Sequence, residues 1–163
     1  MIRMVPTTPH EAGDRNPRDP GFASAPVASA EARAARHIAP QEILLVDDDP
    51  MILRAMRLML ESDGHIVTTA DGGEAAFSVL AAKTCPYSFP VVMTDLEMPN
   101  VDGCQVACAV KTASPGTLVF LLTGWAERFT TQGILPAFVD RVLNKPPQRN
   151  EIRNALQLVG RRQ

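Results

Sequence analysis

The chain has 163 residues, 45% of them apolar, and a formal net charge of −2. That length fits one domain with a tail, and that apolar content is enough for a core. No basic stripe marks a nucleic-acid surface, and no apolar run approaches the ~20 residues needed to cross a bilayer. The first residues lack the apolar core of a signal peptide, which makes the cytoplasm the default location. The three cysteines, Cys85, Cys104 and Cys108, are odd in number and lack zinc spacing. Reduced thiols are the preferred reading, with Cys104 and Cys108 sharing a helix face at i, i+4.

Residues 1–40 hold six of the 14 prolines, an alanine- and serine-rich run and little apolar periodicity. Such a segment buries too little surface to offset its ordering entropy, so a disordered leader is expected, with a short helix at 31–37 at most. The texture changes at Gln41, and residues 41–163 are expected to form the folded domain. EILLVDDDP reads as an apolar strand ending in three acids. Asp49 and Pro50 make an N-cap and a first-turn proline. The helix that follows carries Ile52, Met56, Met59 and Leu60 on one face and stops near Gly64. IVTTA (66–70) is a second strand. Asp71 with Glu74 predicts a capping box that opens a helix through Phe77 and Leu80. A loop with Pro86 and Pro90 leads to a third strand, Val91 to Met93, which runs into Asp95.

After Gly103 a helix is expected over 104–113, ended by Ser114, Pro115 and Gly116. LVFLLTG (118–124) is a fourth strand, running into Thr123. Residues 126–137 are weakly helical, because Thr130, Thr131, Gly133 and Pro136 all oppose a helix. VDRVLNKPP supplies a fifth strand ending at Lys145. A last helix carries Ile152, Ala155, Leu156 and Val159 on one face. Five strand–helix units imply a parallel sheet with helices on both faces, and the uninterrupted apolar strands agree.

In a parallel sheet the carboxyl ends of all strands share one edge, where open α/β folds bind ligands. Asp47, Asp48, Asp95, Thr123 and Lys145 therefore converge. Crowded carboxylates repel, by ~4 kcal/mol per pair at 4 Å and an effective dielectric of 20. They protonate or hold a cation, and hard oxygens suit Mg²⁺. Asp95 then reads as a carboxylate nucleophile that accepts a phosphoryl group. Lys145 offers a point charge to the phosphoryl oxygens and Thr123 a hydroxyl donor. Phosphoryl transfer needs mainly positioning and charge neutralisation, so these groups suffice. Pro146 leaves the peptide after Lys145 open to either isomer.

Over residues 41–160 the motifs ILLVDDDP, TDLEMPNVDG, LLTG and NKP, in this order, resemble the CheY-like receiver domain of two-component response regulators. The resemblance implies a flavodoxin-like (βα)5 fold with doubly wound strand order 2-1-3-4-5. It implies that Asp95 takes its phosphoryl group from a phosphohistidine of a sensor histidine kinase or histidine phosphotransfer protein. It implies Mg²⁺ held by Asp48, Asp95 and the carbonyl of Glu97, with Asp47 acting through water. Thr123 would swing toward the phosphoryl oxygen and Lys145 would pair with it. Output would reach a downstream protein over the fourth helix, fifth strand and fifth helix, or pass by onward phosphotransfer, with no direct contact to nucleic acid or membrane. The domain would catalyse only its own phosphorylation and dephosphorylation, and no effector domain is expected after it.

Some positions depart from the family's pattern. Val142 stands where an aromatic is frequent, and Pro147 where phenylalanine is frequent. ILPAFVDRVL lacks a common Gly-Ala-Asp-Gly signal. Trp125 either gates the pocket mouth or packs on the surface, the second being preferred. Three other functions compete. A haloacid-dehalogenase-type phosphatase would use Asp47 and Asp49, but Pro50 breaks its motif. A flavin or nucleotide binder needs a cradle of N–H groups where this loop is triply acidic. A receiver-like module that works without phosphorylation is the main alternative.

Overall fold

The computed structural model describes residues 39–82 and 89–159. The expected leader to residue 38, its helix at 31–37, Cys85 and Pro86 lie outside the described residues. Five strands form one sheet: β1 (Glu42–Asp47), β2 (Ile66–Asp71), β3 (Val91–Asp95), β4 (Leu118–Thr123) and β5 (Arg141–Asn144). All pairings are parallel, in the order β2-β1-β3-β4-β5. Helices α1 (Pro50–Ser62), α2 (Gly73–Ala82), α3 (Gly103–Ala113), α4 (Ala126–Gln132) and α5 (Arg149–Leu156) follow the strands in turn. This is the flavodoxin-like arrangement.

The sheet is apolar on both faces, which explains the unbroken apolar strands. Alternate strand residues feed two cores. Ile43, Leu45, Met93, Phe120 and Leu122 face Leu53, Met56 and Leu60 of α1 and Ile152, Ala155 and Leu156 of α5. Leu44, Val46, Val92, Val119 and Leu121 face Ala76 of α2 and Val106, Ala107 and Val110 of α3. Each fully buried leucine or phenylalanine contributes about 1.5–3 kcal/mol.

The helix starts follow from local chemistry. Asp49 caps α1 by accepting the Met51 N–H at 2.8 Å, and Pro50 begins the helix. Asp102 and Gln105 form a reciprocal capping box at α3. The capping box expected at Asp71 is not where the chain puts its helix. Asp71 instead closes β2, and Gly72, at φ 89°, stands before the first residue of α2. A D-x-x-E pattern cannot distinguish a cap from the last residue of a strand. Near the second half, α4 stops at Gln132, five residues before the limit expected from sequence, because Gly133 turns at φ 63°. The fifth strand is also shorter than expected and ends at Asn144 rather than Lys145. The ladder still reaches the lysine main chain, whose N–H donates to the Thr123 carbonyl at 2.9 Å.

Below the sheet, His65 is 6% exposed, and its Nδ1 accepts the Gln41 N–H at 3.2 Å. An imidazolium cannot accept that bond. Burial holds the His65 pKa below its ordinary 6.5, against the pull of Asp63 and with the push of Arg153. The unfolded chain therefore takes up a proton first as pH falls. Stability held above about pH 6.5 drains away as pH drops through the folded pKa, then levels. Urea midpoints at pH 7.5 and pH 5 should show that fall in the wild type, and His65→Asn should flatten it. Equal slopes in the two proteins would count against this role.

Candidate functional site

Each polar strand end arrives at the same rim because it is the last residue of a parallel strand. Asp47 ends β1, Asp95 ends β3 and Thr123 ends β4. Lys145 follows β5 directly. Asp47 is fully buried and Asp95 is 6% exposed, whereas Asp48 faces solvent. Carboxylate oxygens of Asp47, Asp48 and Asp95 all lie within 4.8 Å of one another. Lys145 Nζ sits 2.6 Å from Asp47 Oδ2 and 2.8 Å from Asp95 Oδ2. From its place in the sequence this lysine is expected to meet phosphoryl oxygens. In the structure it bridges two of the acids.

Asp47 is pinned from both sides. Its Oδ1 accepts the Asp49 N–H at 3.0 Å. Its Oδ2 is buried and meets the ammonium as an ion pair, with no donor aligned on it as a hydrogen bond. Burial pushes the Asp47 pKa up, and Lys145 and the Asp49 N–H only partly restrain it. For Lys145 burial acts downward, but the contacts to Asp47 and Asp95 outweigh it and hold the pKa above its ordinary value. The lysine therefore remains an ammonium. Three carboxyl groups face one ammonium at the rim. That excess of oxygen donors, clustered within 4.8 Å of one another, fits a divalent cation with oxygen ligands.

Thr123 is 2% exposed, and its Oγ1 accepts the Trp125 N–H at 3.2 Å. Glu97 is exposed, two residues beyond Asp95 in the β3–α3 loop. Trp125 is 57% exposed with the Arg128 guanidinium 5.2 Å from its ring centroid, which makes it a surface residue. Val142 is half-buried against the α2–α3 side of the core. The Lys145–Pro146 peptide is cis. Cys104 is partly exposed, Cys108 is exposed, and both are free thiols.

Gly103 has a role that its place in the sequence did not reveal. A Cβ there would lie 2.1 Å from the Asp95 carbonyl oxygen and 2.8 Å from Leu121 Cδ1. The Gly103 N–H also donates to the Leu96 carbonyl at 3.0 Å. The start of α3 thus presses directly on the main chain of the candidate acceptor. A glycine in the first turn of a helix was the available signal, because it costs helix stability unless a close approach demands it.

Residues 43–157 match the model of the response regulator receiver domain. The chain belongs to the response regulator receiver family. Receiver domains are signalling domains of two-component systems. This one is 32% identical over 123 residues to the transcriptional regulatory protein GlrR of Escherichia coli, covering 72% of the chain but 27% of that relative. The chain thus spans about a quarter of GlrR's length. Among solved structures, a receiver domain protein from Clostridium thermocellum superposes with a TM-score of 0.66 at 26% identity, covering 75% of this chain and 95% of that one. The receiver domain of a sensor histidine kinase from Pseudomonas aeruginosa has a TM-score of 0.63 at 28% identity, covering 75% and 99%. That structure holds a magnesium ion coordinated in its active-site cleft. Among the described residues of the present receiver, no helix is long and apolar enough to cross a membrane.

Proposed function

We propose that residues 41–163 form a receiver that works as a phosphorylation-driven switch, with Asp95 as the acceptor. The observation that carries this reading is the Lys145 ammonium lying between Asp47 and Asp95, beside Asp48, at the carboxyl edge of the sheet. The donor is a phosphohistidine of a sensor histidine kinase or phosphotransfer protein. An Asp95 carboxylate oxygen attacks phosphorus, an O–P bond forms, and the P–N bond breaks with its electron pair returning to the imidazole. The flavin-binder alternative is disfavoured by the same cluster, since three carboxylates repel phosphate.

Mg²⁺ fits this donor set, with Asp48, Asp95 and the Glu97 carbonyl as ligands and Asp47 acting through water. When bound, it neutralises the charge that the incoming phosphoryl group meets. Asp47 positions Lys145, and Lys145 moves onto the phosphoryl oxygens as they arrive. Thr123 leaves the Trp125 N–H and donates its hydroxyl to the same group. Val142 occupies less volume than an aromatic, so the threonine's movement proceeds without a ring exchanging places beside it. The added charge of about −1.5 to −2 is what shifts the fold between two arrangements.

The short α4, its glycine end and the exposed Ile134, Leu135 and Phe138 support an output surface over α4, β5 and α5. The partner there is a downstream protein, and the switch acts in the cytoplasm without touching nucleic acid itself. Phosphotransfer profiling against the histidine kinases and phosphotransfer proteins of the source organism tests this reading. One or a few donors should label the receiver far faster than the rest, and no labelling by any of them would argue for a module that works unphosphorylated.

Lys145→Ala separates binding from switching. Removing the ammonium removes a cation that competes for Asp47 and Asp95, so Mg²⁺ affinity should be retained or increased. Phosphorylation should then no longer alter Trp125 fluorescence. Loss of Mg²⁺ binding in this variant, or an unchanged phospho-dependent fluorescence shift, would contradict the role given to Lys145.

A further inference from the structure

The loop between Asp95 and α3 contains a tight turn in an unfavourable backbone state. Asn100 has φ 64°, and the Val101 N–H donates to the Pro99 carbonyl at 2.7 Å. An i, i+2 turn with positive φ at its centre is rare and strained. Such conformations are costly and persist where their surroundings over-determine them. The two ends of this loop are fixed. The Leu96 N–H donates to Leu122 of β4, and Gly103 and the Asp102 capping box lock the far end. The middle rests on another element. At Gly73, the first residue of α2, a Cβ would fall 2.5 Å from Val101 Cγ1 and 2.6 Å from both Val101 Cβ and the Val101 carbonyl oxygen. Two of those three atoms cannot be moved by changing a rotamer. Val101 is half-buried in this position.

We propose that Gly73 is a positioning residue, a seat on α2 that holds the strained Asn100 turn and thereby sets the loop that leaves Asp95 and carries Glu97. The proposal rests on the phosphoacceptor reading for its functional consequence, but its structural content is independent of it. A side chain on Gly73 pushes Val101 off α2. The turn then relaxes, and the segment from Leu96 to Val101 moves relative to Asp48.

The test compares Gly73→Ala with Gly64→Ala. Gly64 has a positive φ, at 90°, which Gly73 does not, but a Cβ there meets nothing within 4 Å, and it lies at the foot of α1, at the opposite edge of the sheet. Both variants lose stability, one through contact and one through backbone strain. Only Gly73→Ala should weaken Mg²⁺ binding, titrated with MgCl₂ alone, and slow labelling by acetyl phosphate. Roughly tenfold is expected for each, because small misplacements of reacting groups are costly. Only Gly73→Ala should shift the amide resonances of residues 96–102 in metal-free protein. Gly64→Ala should match the wild type in all three. A folded Gly73→Ala protein with wild-type Mg²⁺ affinity, labelling rate and loop resonances overturns the proposal. If Gly73→Ala does not fold, Val101→Gly empties the seat from the other side and decides by the same readouts. A wild type that neither binds Mg²⁺ nor labels would sink the phosphoacceptor reading, and the metal-free resonances would still decide the seat.

Discussion

Asp95→Asn should abolish phosphate incorporation while leaving the protein folded. The amide keeps the shape of the carboxylate but is a poor nucleophile toward phosphorus. The fold should tolerate the change, because Asp47 remains to pair Lys145 at 2.6 Å and one of three mutually repelling charges disappears. Thermal stability is therefore expected to hold or rise slightly. Mg²⁺ affinity should fall by on the order of tenfold or more, since even groups outside the ligand shell are worth about 10–100-fold at metal sites. Radiolabelling from a small phosphodonor, read beside a melting curve, checks both halves. Full labelling of a folded Asp95→Asn protein would mean that the acceptor is another residue.

The second large effect is at Gly103. Gly103→Ala would place a methyl carbon 2.1 Å from the Asp95 carbonyl oxygen, well inside contact distance. The neighbour is main chain at the end of β3, so no rotamer change relieves it. Either α3 lifts from the sheet or the end of β3 bends. Overpacking of this kind usually costs about 1–3 kcal/mol and sometimes more. With rigid backbone on both sides the upper end is expected, a drop of about 10 °C in melting temperature for a domain of this size. Asp95 should also be displaced, so the surviving folded fraction should label slowly. A melting temperature within about 2 °C of the wild type would show that the close approach is not maintained in solution.

The sheet and the polar rim at its carboxyl edge were legible because the central strands β1, β3 and β4 are largely apolar runs that end in a polar residue. That pattern marks where these three strands stop, and parallel order then gathers the stops on one edge. Asp47, Asp48 and Asp95 meet as the sequence implied. Two kinds of detail were not legible. The first is competition between local signals. Asp71 and Glu74 have the spacing of a cap, yet the chain spends Asp71 on a strand. Residues 126–137 look evenly weak, yet α4 runs to Gln132 and stops where Gly133 turns. The second is contact across the fold. That Lys145 bridges two acids depends on the reach of a long side chain from the end of β5 past β4 to the ends of β3 and β1. That Gly103 touches Asp95, and Gly73 touches Val101, depends on how closely two backbones approach. A glycine in the sequence reports its freedom but not its neighbour.

The most direct measurement is the intact mass of the wild-type protein after exposure to a small phosphodonor, with Mg²⁺ present and with Mg²⁺ chelated. Convergence of the strand ends predicts the addition of one phosphoryl group in the Mg²⁺ sample only, mapped by peptide fragmentation to Asp95. An unchanged mass under both conditions, or a phosphoryl group on any other residue, would contradict it.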